Sequence, residues 1–272
     1  MNFKLAAFAD EASSSIAEQI TAMRENGIDY LEIRGVDGRN ISAITKEKAR
    51  EVRAQMDDAA LGVWSIGSPC GKIGIRDDFA PHLDNFKHCL ELAEILGAKH
   101  FRMFSFYVPA EEADGYADEV MARLDRFIEA AKGSGILLCH ENEKGIFGDV
   151  ASRCELIHKT FPELRAVFDP ANFIQCKQDT REAWDMLAPY VEYLHIKDAL
   201  HDRTVVPAGK GEGNLPYILE QYRGTVLTVE PHLAVFAGLD QLEAEERSKR
   251  KYVYPTPRAA FDAAVAALRE LI

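Results

Sequence analysis

Eight short apolar runs of β type alternate along this chain with eight segments of helical periodicity, and that alternation leaves few folds open. The β-type runs cover 4–9, 30–34, 62–66, 100–106, 136–140, 165–168, 193–196 and 226–229. Between the first two, Ser13-Ser14-Ser15 can cap a helix that carries Ile16, Ile20 and Met23 on one face and stops at Gly27. Leu83, Phe86, Leu90, Ala93 and Leu96 mark another, closed by Gly97, and Val120, Leu124, Phe127 and Ile128 a third. The remaining helical segments cover 45–60, 150–161, 180–190, 216–222 and 256–271. Strands that alternate with helices pair in parallel. Eight such units in 272 residues predict an α/β fold, a (β/α)8 TIM barrel in a single domain over 1–272. The rival, an open doubly wound sheet, normally has a glycine-rich first turn; here that turn is Ala9-Asp10-Glu11-Ala12-Ser13. A longer loop is expected at 234–255, charged over 243–251 and carrying Tyr252 and Tyr254, as a lid, an oligomer contact or a solvated excursion.

Composition narrows the function classes. A net charge of −12 argues against sequence-independent nucleic-acid binding, which needs a basic surface. No run approaches about 18 consecutive apolar residues, so no membrane span is expected. Five cysteines without a Cys-x-x-Cys pair fit reduced thiols. The apolar run at 5–9 is too short for a secretory signal and acids follow it at once, so a cytoplasmic location is expected.

Four β-type runs each end on a polar residue: Glu141, Asp169, His195 and Glu230, separated by 28, 26 and 35 residues. Each interval is about one strand-helix unit, so adjacent parallel strands would present one such residue each at the same barrel end, the end where barrels of this kind carry their active sites. Three buried carboxylates would repel one another without a cation, and with one imidazole they form a ligand set for a divalent metal. Strand parity places Leu137, Cys139 and Glu141 on one face and turns His140 toward the helices. Glu143 lies on the side of Glu141, as a supporting partner or as a rival for its role.

These motifs carry a resemblance. His140-Glu141-Asn142-Glu143-Lys144, Asp169-Pro170-Ala171-Asn172, His195-Ile196-Lys197-Asp198, Gly209-Lys210-Gly211-Glu212-Gly213 and Val229-Glu230-Pro231-His232 resemble the xylose isomerase-like barrel superfamily. Within it the chain is most similar to the sugar phosphate isomerase/epimerase group. The resemblance runs from Phe8-Ala9-Asp10-Glu11 to the last helix. It implies that Glu141, Asp169, His195 and Glu230 hold one metal ion and that Glu141 and Glu230 form the catalytic acid/base pair. Ketose 3-epimerases commonly have a histidine where Asn172 stands; an asparagine can bind a hydroxyl but cannot titrate.

The expected function is metal-dependent isomerisation or epimerisation of a sugar or sugar phosphate, by proton transfer beside a carbonyl through a metal-stabilised enediolate. Oxygen-rich ligation with one histidine suits Mn²⁺, Mg²⁺, Co²⁺ or Zn²⁺. Candidate substrate contacts are Asn172, Lys197, Arg102, Glu143 and His232, and Arg34 and Arg102 have the geometry to bind a carboxylate or phosphate. Lys197 has a second reading, a surface lysine paired with Asp198. The Gly209–Gly213 run is open enough for backbone N–H groups to approach an oxyanion. Trp64, Phe104, Phe106 and Phe173 are candidates for an apolar wall or for core. Three rivals remain: an inosose-type dehydratase, an apurinic-site endonuclease and a non-catalytic sugar-binding barrel. The partner expected is a small carbohydrate, with no nucleic acid and no membrane; a homo-oligomer stays open.

Overall fold

The computed structural model describes residues 3–234 and 252–272. Eight parallel strands close on themselves: β1 (Lys4–Ala7), β2 (Tyr30–Ile33), β3 (Gly62–Gly67), β4 (His100–Met103), β5 (Leu137–Glu141), β6 (Arg165–Phe168), β7 (Val191–Ile196) and β8 (Val226–Val229). Each pairs with its neighbours in sequence, and β8 returns to β1 through Lys4 opposite Val226 and Ala7 opposite Val229. The helices outside are α1 (Ile16–Glu25), α2 (Lys46–Asp58), α3 (Phe79–Leu96), α4 (Ala117–Ala131), α5 (Ala151–Thr160), α6 (Pro170–Gln175), α7 (Thr180–Leu187), α8 (Leu215–Gln221) and α9 (Pro257–Arg269). The expected eight-fold alternation and barrel closure are both present. None of the described helices is long and apolar enough to cross a membrane. All five cysteines are free.

Local sequence explains the helix ends. Thr45, Asp78, Asp179 and Thr256 each accept a backbone N–H from the first turn of the helix they precede. Gly97 ends α3 in the left-handed region (φ +74°), where a Cβ would strike the Arg53 guanidinium. The large apolar core lies between barrel and helices and includes Met23, Val52, Phe86, Phe101, Phe127, Ile157, Trp184 and Phe261. A separate small cluster of Cys139, Val167 and Tyr193, with Trp64 and Leu137 against it, plugs the barrel interior.

Two of the differences from expectation lie near the strand ends that carry the site. The fourth strand stops at Met103, short of Phe106. The Phe104 and Phe106 N–H groups instead bond the Cys70 and Gly71 carbonyls, and Phe106 turns left-handed (φ +67°), so Arg102 is not in line with the two phenylalanines. The second is α6, a short helix absent from the periodicity reading. Asp169 caps it and Pro170 fills its first position, a pairing that favours helix initiation. Most of the expected 234–255 loop, residues 235–251 with its charged stretch, lies outside the described residues.

One buried histidine of this scaffold has a measurable consequence. His158 on α5 donates from Nδ1 to the Leu164 carbonyl (2.9 Å) and stacks on Tyr190. Burial pushes its imidazole down to about 4. It is therefore neutral in the fold, whereas the unfolded chain takes up a proton near pH 6.5. The stability it supports is intact above that pH and falls as pH drops from 6.5 toward 4, by about 3 kcal/mol in all. Denaturant titrations across that window should show a shallower slope for His158→Phe than for the parent.

Candidate metal centre

The four residues that end β-type runs converge. Glu141 closes β5, His195 lies one residue from the end of β7, and Asp169 and Glu230 directly follow β6 and β8. One donor atom from each lies within 4.8 Å of the other three, and all four side chains are buried. Donors at roughly 2.0–2.4 Å from one shared ion span about that distance. The Asp169 backbone is pinned by Asn142, which accepts from its N–H and donates to its carbonyl (both 2.9 Å). Its Oδ1 caps α6 through the Asn172 N–H (2.9 Å). Its Oδ2 faces the Lys197 ammonium at 2.8 Å and has no aligned hydrogen bond. His195 turns Nδ1 toward Glu141 (3.0 Å) and Glu230 (3.2 Å).

Charge at this end of the barrel is out of balance. Asp10, Glu11, Glu32, Glu141, Asp169 and Glu230 are all buried. Three permanent cations face these six carboxylates: Arg34, Arg102 and Lys197. Without a metal, protons make up part of the difference. Burial disfavours the His195 imidazolium, yet Glu141, Glu32 and Glu230 raise its pKa well above the ordinary histidine value. Burial, reinforced by Glu230 and Glu141 and opposed by Lys197, pushes the Asp169 carboxyl up to about 7. Burial likewise raises Glu11. For Glu141, burial is outweighed by His195 and Arg102, which hold it at about 2. For Glu230, Lys197 and His195 win over burial and hold it well below the usual range. Three carboxylates and an imidazole in a dry, anion-rich layer fit a divalent cation.

The other sequence candidates separate into those at the centre and those beside it. Lys197 is buried and lies between Asp169 (2.8 Å) and Glu230 (3.4 Å), so the reading of a surface lysine paired with Asp198 is wrong. Parity turns Lys197 inward with His195, while Asp198 accepts N–H groups from Ala199, Gly209, Gly211 and Gly213 at 2.9–3.0 Å. The oxyanion cradled by the glycine run is thus the protein's own carboxylate. Arg102 bonds Glu141 (2.7 Å) and lies over the Phe8 and Phe104 rings. Asn172 donates to Asn142 O (2.9 Å) and Glu141 Oε1 (3.3 Å). His232, in the left-handed region (φ +48°), sits beside Glu11 and Glu230. Glu143 lies outside the four-residue cluster and pairs with Lys72 (2.9 Å). Arg34 is divided among Asp10, Glu11 and Glu230, which occupies the fork that an anionic substrate would need. His140 packs outward as parity requires, on Ser105 (2.9 Å) and His158. Of the aromatic candidates, Phe104 lies under Arg102 and Lys72. Trp64 packs with His100 and Tyr193, Phe106 with Phe79, and Phe173 with Phe168.

Asp10, Glu11 and Glu32 escaped the sequence reading as site residues. A signal for Glu32 was present: in Tyr30-Leu31-Glu32-Ile33-Arg34, alternation puts Tyr30, Glu32 and Arg34 on one face, and Leu31 and Ile33 on the apolar one.

The profile of the xylose isomerase-like TIM barrel family matches residues 20–252. The chain belongs to this family. No curated protein matches it in sequence. Among solved structures it is similar to a probable 3-DHS dehydratase, AsbF, from Bacillus anthracis, at 14% identity and TM-score 0.71, covering 98% of each chain. It is also similar to an L-ribulose 3-epimerase at 16% identity and TM-score 0.72, covering 99% of this chain and 94% of that one. A third is the IOLI protein with a bound zinc atom, at 15% identity and TM-score 0.73, covering 98% and 97%. At these identities the likeness is one of fold.

Proposed function

We propose that this member of the xylose isomerase-like TIM barrel family is a divalent-metal-dependent isomerase or epimerase of a sugar or sugar phosphate. The observation that carries the reading is the convergence of four buried ligand atoms within 4.8 Å, in a layer with more carboxylates than cations. Glu141, Asp169, His195 and Glu230 would hold the ion, with Mn²⁺, Mg²⁺, Co²⁺ and Zn²⁺ as candidates. When bound, it supplies Lewis acidity to a carbonyl oxygen and so acidifies the neighbouring C–H.

The chain's own residues do the rest. Glu141 and Glu230 stand on different strands, with their carboxylates held ionised by Arg102 and His195 and by Lys197 and His195. One removes a proton beside the carbonyl and the other returns one. Asn172 and Lys197 supply hydrogen-bond donors beside this pair. The lysine favours a second reading, dehydration of a cyclic polyol such as an inosose: its ammonium, 3.4 Å from Glu230, is a hydrogen-bond donor that would stabilise a departing hydroxyl. Product mass separates the two, equal to the substrate for an isomer and lighter by water for a dehydratase.

The test is divalent metal measured by mass spectrometry on the purified protein beside a folded His195→Ala variant. About one equivalent in the parent and a large loss in the variant is the expected result. No metal in the parent after reconstitution with Mn²⁺, Co²⁺ and Zn²⁺ would remove the mechanism and leave the barrel.

A further inference from the structure

Glu32 is unusual among the buried acids because it stands below the four-residue cluster, in the barrel interior, fully shielded from solvent. A carboxylate in such a place costs several kcal/mol of desolvation. Its two oxygens have separate partners. Oε1 accepts from the Tyr193 hydroxyl (2.8 Å), which also lies 3.2 Å from Ser65 Oγ. Oε2 lies 3.2 Å from His195 Nε2. The other ring nitrogen of His195 is the one that faces Glu141 and Glu230.

We propose that Glu32 is the positioning carboxylate of the metal centre: it holds the His195 proton on Nε2 and so presents Nδ1 to the ion. The inference rests on the metal reading above. Without metal, both ring nitrogens face carboxylate oxygens; an ion held by Glu141 and Glu230 would take the place of the hydrogen on Nδ1, and the oxygen of Glu32 accepts the one that stays on Nε2. A neutral imidazole with its proton there has its lone pair on Nδ1, toward Glu141 and Glu230. The ring is also fixed in orientation, edge-on to Phe8 (5.2 Å, 81°) and to Tyr193 (5.6 Å, 61°). Tyr193 thus both packs the histidine and anchors the carboxylate that orients it. Such outer carboxylates raise ligand basicity, and their loss typically costs 10- to 100-fold in metal affinity.

The experiment compares Glu32→Leu and Glu32→Gln with the parent in two readouts: the dissociation constant for Mn²⁺ and Co²⁺ by chelator competition, and the thermal midpoint of the metal-free protein. Glu32→Leu should weaken metal binding 10- to 100-fold, and its metal-free midpoint shows that the barrel is folded when the affinity is read. Glu32→Gln should fall between, because its amide oxygen still accepts from Nε2–H without the charge. Parent-like affinity in Glu32→Leu overturns the inference; if that variant does not fold, parent-like affinity in Glu32→Gln does so. Absence of metal binding in the parent would instead defeat the metal reading itself.

Discussion

Glu230→Gln is expected to keep the barrel and lose turnover by about 10³-fold or more. The amide matches the carboxylate in shape, but it takes up no proton and is a poor ligand for a hard cation. Its NH₂ group would also face a donor, since Arg34 lies 3.0 Å from Oε1 and Lys197 3.4 Å from Oε2. The metal-free thermal midpoint should fall, because the carboxylate that Lys197 and His195 hold ionised stabilises the fold at neutral pH, while the barrel still forms and activity disappears. Solvent-deuterium uptake into ketoses and inososes reads the proton transfer directly. Measured with Mn²⁺ content determined on the same samples, it separates lost chemistry from lost metal. Full deuterium exchange by Glu230→Gln at full metal occupancy would take Glu230 out of the chemistry.

The barrel and the four converging residues were legible in the sequence for the same reason: both are periodic. Strand-helix alternation repeats eight times, and a polar residue closing an apolar run stands out against its neighbours. Parity placed His140 outward, and it put Lys197 on the His195 face while leaving a surface pairing with Asp198 open. What alternation could not give is contact across the barrel. Glu32 meets His195 over a separation of 163 residues, and Arg34 meets Glu230 over 196. Each is an ordinary charged residue in its own segment; only closure reveals that its partner is another buried charge. The glycine run shows a different limit. Its composition marks a loop whose N–H groups gather round an anion, and nothing local says that the anion is Asp198, eleven to fifteen residues earlier. The aromatic candidates, read as an apolar wall or as core, show a third limit, because core packing and ligand walls use the same residue types.

Lys197→Met should destabilise the metal-free protein by about 3–5 kcal/mol and should be largely rescued by metal. The ammonium lies between Asp169 and Glu230 in a fully buried position, and methionine fills the space without the charge. Asp169 then loses the cation that faces its Oδ2, while Glu230 keeps Arg34 and His195. The pH dependence follows from Asp169, whose carboxyl is raised to about 7 even with the lysine in place. An acid with a raised folded pKa favours the fold below its unfolded value near 4, and that contribution is lost as pH climbs through the folded value. Removing the lysine raises Asp169 further, so a protonated Asp169 relieves the repulsion at pH 5 and less so at pH 8. The deficit of the variant should accordingly be larger at pH 8. A divalent ion at a thousand times its dissociation constant adds about 4 kcal/mol to either protein, so the variant with metal regains most of the stability of the metal-free parent, and the deficit itself shrinks because an ion that takes over the lost positive charge binds the variant more tightly. Thermal midpoints of parent and variant at the two pH values, with and without Mn²⁺, check all three points. A deficit that is independent of pH and untouched by metal would mean that Lys197 supports packing and does not balance the charge of the metal centre.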